Sequence, residues 1–131
     1  KLPNFIDMRI ANAKYFVSLF SKHPYIEIQQ ETGVSSWFGF ALILKENSPI
    51  SRRDLVNVLT ENDIECRPIV TGNFLKNVEV LEHFDYEVSG TLENSEHIDA
   101  NGIFVGNHHV DIREQIDFLY KVVNTASAYT R

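Results

Sequence analysis

An arginine and an asparagine lie at the two ends of an interrupted strand, in residues 64–74 of this 131-residue chain. The apolar stretch 64–67 meets Pro68, and the turn-forming Thr71-Gly72-Asn73 follows. Strand ends that open into such loops often present functional groups. The guanidinium of Arg67 could bind a phosphate or a carboxylate through two hydrogen bonds. A half-exposed arginine paired with a nearby carboxylate is the more frequent arrangement, and alternation along the strand puts Glu65 beside it.

Gly72 and Asn73 also allow two interpretations. Both residue types tolerate left-handed backbone angles, so they suit a tight turn with no further role. Alternatively, Asn73 presents its amide to a ligand. The local sequence does not distinguish the two.

The other reactive side chains give no catalytic set. His108 and His109 are adjacent, so in extended chain they point in opposite directions and make a poor metal pair. The spacing of zinc ligands is missing, and we expect no metal site. The single cysteine, Cys66, lies in an apolar strand with no neighbouring base and is expected to pack as a small hydrophobic residue. The chain also lacks the serine-nucleophile, phosphate-loop and zinc-protease motifs.

Hydrophobic periodicity predicts the elements that position these residues. A long amphipathic helix over 4–22, with an apolar stripe of Ile6, Ile10, Ala13, Val17 and Phe20, ends before Pro24. The remaining predictions are strands over 25–30 and 36–44, a helix capped by Ser51, a strand over 64–67, a weak helix over 78–84, a loop with a short helix over 85–101, a strand over 102–106, and a helix that starts at Asp111 and frays from 125 to 131.

This order predicts an α+β fold in a single domain, residues 1–131. We expect a small antiparallel or mixed sheet of three to four strands with helices packed on one face. The strand over 36–44 is apolar on both faces, which indicates cover from both sides. Pro68 donates no hydrogen bond, so strand pairing is expected to stop or to reach a sheet edge there.

Composition excludes several classes of function. The net charge is −6, which gives no basic footprint for nucleic acid. The longest apolar run, 37–44, is too short to span a bilayer, and no membrane association is expected. A lone cysteine fits a reducing compartment, and we expect a cytoplasmic protein. Because the chain opens at Lys1 in the lead-in to a helix, we expect a domain of a longer protein.

Four blocks resemble the DegT/StrS family of pyridoxal-phosphate-dependent sugar enzymes, in the family's order. They are residues 9–13 (RIANA), 35–40 (SSWFGF), 66–74 (CRPIVTGNF) and 102–108 (GIFVGNH). The resemblance is strongest to the nucleotide-sugar 3-dehydratases, which act on CDP- or GDP-linked 4-keto-6-deoxyhexoses in deoxysugar and lipopolysaccharide O-antigen biosynthesis.

The resemblance implies the C-terminal small domain of a fold-type-I enzyme. Pyridoxal phosphate or pyridoxamine phosphate would be bound mainly by a large domain upstream, where the deciding histidine or lysine would also lie. It implies a homodimer and a nucleotide-sugar substrate, no catalytic residue in this chain, and iron–sulfur content that this chain cannot decide. The substrate-binding candidates are Arg67, Asn73, Gly72, Trp37, Phe38 and His108.

Two other functions remain open at this point. A sugar aminotransferase of the same family would carry the same small domain. A free-standing, non-catalytic α+β ligand-binding module would instead fold alone with its apolar faces covered and would bind a ligand tightly.

Overall fold

The computed structural model describes residues 1–128. Its helices and strands are α1 (Leu2–Phe20), β1 (Ile26–Ile28), β2 (Gly39–Leu44), α2 (Arg52–Glu61), β3 (Cys66–Pro68), α3 (Val78–Leu81), α4 (Glu93–Asn101), β4 (Gly102–Gly106) and α5 (Arg113–Ala128). A single 3₁₀ turn, Phe74–Lys76, precedes α3. None of the described helices has the length and apolar character needed to cross a membrane.

The four strands form one antiparallel sheet in the order β1-β2-β4-β3. The predicted α+β class and strand number are confirmed. β3 is an edge strand and ends at Pro68, as expected for a residue that lacks a backbone N–H. Arg67 pairs with Phe104 of β4, which in turn pairs with Ala41 of β2.

Side-chain alternation divides the sheet into two faces. One face carries the buried Phe40, Leu42 and Leu44 of β2 and the facing Ile103 and Val105 of β4. These side chains share a core with α1, α2 and α5, so the three long helices cover one face as predicted. Full burial of each such side chain contributes about 1.5–3 kcal/mol. The opposite face carries the row Arg67, Phe104 and Ala41, and α4 contacts β2 and β4.

The inward face of α1 differs from the predicted stripe. The buried residues are Asn12, Ala13, Phe16 and Phe20, whereas Ile6, Ile10 and Val17 are only half-buried. Asn12 is not part of the predicted apolar stripe. It can be buried because residues distant in sequence form hydrogen bonds with its amide. The buried face of α1 therefore includes a position that the apolar pattern leaves out.

Element boundaries agree with the sequence where a local cap determines them. Ser51 Oγ accepts a hydrogen bond from the Asp54 backbone N–H at 3.1 Å, as predicted for the start of α2. Near the start of α5, Asp111 Oδ1 accepts from the Arg113 N–H at 3.1 Å. The predicted fraying from residue 125 is wrong up to Ala128, because α5 continues there and Ala126 packs into the core. Residues 129–131 of that prediction lie outside the described part of the chain.

β2 begins later than predicted. The strand starts at Gly39 rather than at residue 36, because Trp37 has a left-handed backbone with φ of 49°. No extended strand passes through that angle. The segment before Gly39 therefore leaves the sheet.

His23 is a buried histidine that the sequence did not single out. Its ring Nδ1 accepts from the backbone N–H groups of Tyr25 and Ile26 at 3.2 and 3.1 Å, and Nε2 lies 3.1 Å from Asn124 Oδ1. This pattern holds the neutral ring with its proton on Nε2. Burial lowers the pKa of His23, Lys45 lowers it further, and the Asn124 contact opposes both.

We expect His23 to make the protein less stable as the pH falls. In the unfolded chain the imidazole titrates near its ordinary pKa of about 6.5, so below that pH the unfolded state binds the extra proton and the folded state does not. His23→Gln should cost about 1–3 kcal/mol near neutral pH and should flatten the loss of stability on acidification. Denaturant unfolding over a pH series measures both effects. The exposed His83→Gln is the control, and an unchanged pH slope in His23→Gln would contradict this role.

Candidate functional site

A groove of about 550 Å³ lies on the side of the sheet that carries Arg67 and Phe104. The strand row places the two side chains next to each other on this face. The groove is lined by Phe38, Glu65, Arg67, Pro68, Val70, Phe104, Gly106 and Asn107. It therefore combines aromatic walls with one cation and one buried amide, a composition suited to a ligand with both planar and anionic parts.

Arg67 lies in this groove with its guanidinium largely in solvent. Its Nη2 and Nε donate to Glu65 Oε1 at 2.8 and 3.3 Å, and the arginine and glutamate side chains are 75% and 79% exposed. Such an exposed pair contributes little to stability. The structure confirms the ion pair. Binding of a ligand by Arg67 stays a prediction, which the pair permits because it leaves other guanidinium N–H groups for an anion in the groove.

Phe38 forms the opposite wall. Its side chain is 71% exposed, although its ring stacks on Phe104 with centroids 5.8 Å apart. The Arg9 guanidinium carbon lies 5.9 Å from the Phe38 ring centroid, within the range of a cation–π contact. A large aromatic ring left this exposed next to a cation is an available surface for a planar ligand group.

Trp37, the neighbour of Phe38, does not line the groove. It is buried, packs with its ring centroid 6.3 Å from that of Phe40, and belongs to the core. His108 also lies outside the groove, next to Asn107. Its exposed ring stacks on His109 at 4.2 Å.

Gly72 and Asn73 form a turn held by Asp99 of α4. Gly72 has φ of 54°, and the Asn73 backbone N–H donates to Asp99 Oδ1 at 3.1 Å. Asn73 is buried, and its side-chain oxygen accepts from the Leu75 N–H at 3.1 Å. Lys76 binds Asp99 Oδ2 and, with the Asn73 N–H, lowers the pKa of that carboxyl. Turn chemistry therefore accounts for both residues, and Val70 of the same loop reaches the groove.

The remaining candidates from the sequence are the cysteine and the potential metal ligands. Cys66 packs against the core, and burial raises the pKa of its thiol, which disfavours the nucleophilic thiolate. Among the residues that the structure describes, no group of three or more His, Cys, Asp and Glu side chains could hold a metal ion.

Two buried asparagines next to the groove were missed from the sequence. Asn12 Nδ2 lies 3.2 Å from Asn107 Oδ1, 3.1 Å from His108 O and 2.8 Å from Val110 O. Asn107 Nδ2 donates to Arg9 O at 3.0 Å and Trp37 O at 2.9 Å. One signal was present: Asn12 lies four and eight residues before Phe16 and Phe20, on the face of α1 that is buried.

Comparisons with known proteins identify the family. The sequence profile of the DegT/DnrJ/EryC1/StrS aminotransferase family matches residues 1–123. This chain belongs to that family. The GDP-4-keto-6-deoxy-D-mannose 3-dehydratase of Yersinia pseudotuberculosis is 63% identical over 123 residues, which is 94% of this chain and 31% of the relative.

Solved structures of DegT/DnrJ/EryC1/StrS family members have the same fold. An E. coli GDP-4-keto-6-deoxy-D-mannose-3-dehydratase with bound hydrated PLP superposes with a TM-score of 0.90 at 54% identity, covering 93% of this chain and 31% of that one. A variant of GDP-4-keto-6-deoxymannose-3-dehydratase with bound GDP-perosamine superposes with a TM-score of 0.90 at 54% sequence identity. The match covers 94% of this chain and 32% of that one. This family member thus spans about a third of the length of the relatives it matches.

Substitution of Gly72 tests the turn beside the groove. A Cβ at this position would lie 1.8 Å from Asp99 Oδ1, in addition to the strain of a positive φ. Gly72→Ala should lower the free energy of unfolding by about 2 kcal/mol or more. Gly90→Ala adds a side chain at φ of 76° with nothing within 4 Å, so it isolates the backbone cost.

Gly33→Ala, in open space and without a positive φ, completes the series as a neutral control. Denaturant unfolding should rank the variants Gly33→Ala, Gly90→Ala, Gly72→Ala in order of increasing loss. Equal losses for Gly72→Ala and Gly90→Ala would show that contact with Asp99 does not determine this turn.

Proposed function

We propose that residues 1–131 form the C-terminal domain of a PLP- or PMP-dependent nucleotide-sugar 3-dehydratase. The proposed substrate is GDP-4-keto-6-deoxymannose, in the biosynthesis of a deoxysugar. Identity of 63% to a dehydratase with that substrate in its name, over nearly the whole chain, is the observation that carries the proposal. The CDP-linked alternative has no comparable support.

The exposed surface supports a domain within a larger enzyme. Large apolar side chains stand in solvent along the segment that follows β3, among them Phe74, Val78, Phe84, Tyr86 and Val88. Apolar side chains exposed in such number within one segment are typical of a surface that a partner covers. We propose that an upstream large domain, and a second subunit of a homodimer, cover it. A free-standing binding module would bury these side chains itself.

The groove supplies the substrate-binding part of the proposal. Arg67 would bind a phosphate of the GDP group, and the exposed Phe38 ring would pack against a planar or sugar face of the ligand. Asn73 and Gly72 would shape the loop that brings Val70 to the rim. Trp37 would support Phe38 from the core, and His108 would lie outside the groove, next to Asn107.

The cofactor does not fit within this groove alone. Among the described residues that line it, none is a lysine, and the single arginine, Arg67, is the one that the proposal assigns to the substrate phosphate. The bound cofactor would supply an electron sink for loss of the C3 hydroxyl, and residues outside this chain would hold it. This domain would therefore bind and orient the sugar nucleotide.

The aminotransferase alternative differs in a residue outside this chain. A histidine at the cofactor position of the full-length protein would support dehydration, and a lysine would support amino transfer. The deciding experiment incubates the full-length enzyme, PMP and GDP-4-keto-6-deoxymannose. Loss of the C3 hydroxyl supports the proposal, and a stable 4-amino product would contradict it.

Arg67→Ala in the full-length enzyme should weaken substrate binding. Loss of a charged hydrogen bond to phosphate should raise KM and the Kd for GDP-perosamine about tenfold or more. Arg113→Ala is a matched control, because Arg113 is also exposed and pairs with a carboxylate two residues earlier, Asp111, outside the groove. Calorimetric titration and initial rates measure both variants.

Equal affinities for Arg67→Ala and the unsubstituted enzyme would remove Arg67 from the proposed site. A parallel loss in Arg113→Ala would indicate a general effect of surface charge instead of a contact in the groove.

A further inference from the structure

The buried side chain of Asn107 forms hydrogen bonds with several segments around the groove. It is only 7% exposed, and its side chain uses its full hydrogen-bonding capacity. The two amide hydrogens go to Arg9 O and Trp37 O, at 3.0 and 2.9 Å. The side-chain oxygen accepts from the His108 N–H at 2.8 Å and from Asn12 Nδ2 at 3.2 Å.

Asn107 binds the backbone of the segment that carries Phe38. Trp37 has φ of 49°, an unfavourable angle for a bulky residue, and its carbonyl is the one that Asn107 binds. The Asn107 backbone N–H also donates to Phe38 O at 3.3 Å. The side-chain bond to the Trp37 carbonyl, which substitution of Asn107 would remove, thus helps to set the direction in which the Phe38 side chain leaves the backbone.

The same side chain holds Arg9. Because Asn107 binds the Arg9 carbonyl, it places that turn of α1 beside the wall, where the Arg9 guanidinium lies over the Phe38 ring. One buried amide therefore sets the relative positions of the ring, its cation and the groove. The Phe38 ring is also held by its stacking on Phe104, whereas the Arg9 carbonyl is linked to this wall by the Asn107 amide.

We propose that Asn107 is a positioning residue for nucleotide-sugar binding and acts through Phe38. The inference rests on the proposed function of the groove. It predicts that removal of the Asn107 amide weakens binding because Phe38 loses its defined orientation, and not because the amide itself contacts the ligand. Since the effect is on binding, KM should change and kcat should not.

The test compares Asn107→Leu with Asn107→Ala in the full-length enzyme. Leucine has the branched shape and the number of heavy atoms of asparagine, with a larger volume and no hydrogen bonds, and alanine is smaller than asparagine. Both variants are neutral, so they add no charge next to the phosphates. Each should raise the Kd for GDP-perosamine and the KM for GDP-4-keto-6-deoxymannose about five- to tenfold, with kcat within about twofold. Unchanged Kd and KM in a folded Asn107 variant would overturn the inference.

Asn124→Ala is the matched control for a loss of structure. It removes a partly buried amide that contacts His23 on the helix-covered side of the sheet, away from the groove. It should lower the melting temperature and leave Kd and KM unchanged. If Asn124→Ala raised Kd as much as the Asn107 variants do, Asn107 would be a general stabilising residue and the inference would fail.

A double-mutant cycle with Phe38→Ala tests the route of the effect. Phe38→Ala should itself raise Kd and KM, and Asn107→Leu should add nothing further in that background. The same fold-increase in the presence and absence of the Phe38 ring would show that Asn107 does not act through Phe38, and would overturn the inference alone. No effect of Phe38→Ala would reject the groove as the nucleotide-sugar site, and the inference with it.

Discussion

The amide pair Asn12–Asn107 joins three parts of the chain that are distant in sequence. Asn12 connects α1 to the segment after β4, and its Oδ1 accepts from the Ile112 N–H just before α5. Asn107 connects the segment before β2 to the same group through its hydrogen bond to the Trp37 carbonyl. Because both residues are buried, loss of either partner would leave polar groups without water or protein to satisfy them. The packing of α1 beside the strand ends depends on this pair.

The groove follows from the sheet topology. β3 is paired on one side only, by β4, so Arg67 stands at an edge of the sheet beside Phe104. The long helices lie on the other face, which leaves this side of the sheet open around Phe38. A short edge strand next to a buried central strand thus places an exposed charged side chain beside the aromatic rings of Phe104 and Phe38.

Interactions between residues close in sequence were sufficient to predict most helices and strands. They also predicted the face of β3 on which Arg67 lies. Alternation and capping act between near neighbours, as in β4 and at Ser51. Three features depended on tertiary contacts and were missed or misplaced: the buried Asn12, the left-handed Trp37 and the continuation of α5 to Ala128. The sequence supplied candidate residue types for the site, but which of them meet in one groove follows from packing at long range.

The lengths of the outer strands have a consequence for assembly. β1 and β3, the two edges of the sheet, contain three residues each, and β3 ends in a proline directly after the charged Arg67. Short, charged or proline-ended edges discourage the addition of another strand from a neighbouring chain. Any protein that associates with this domain must therefore pack against its faces, its helices or the apolar segment after β3, where side chains rather than backbone hydrogen bonds determine the choice of partner.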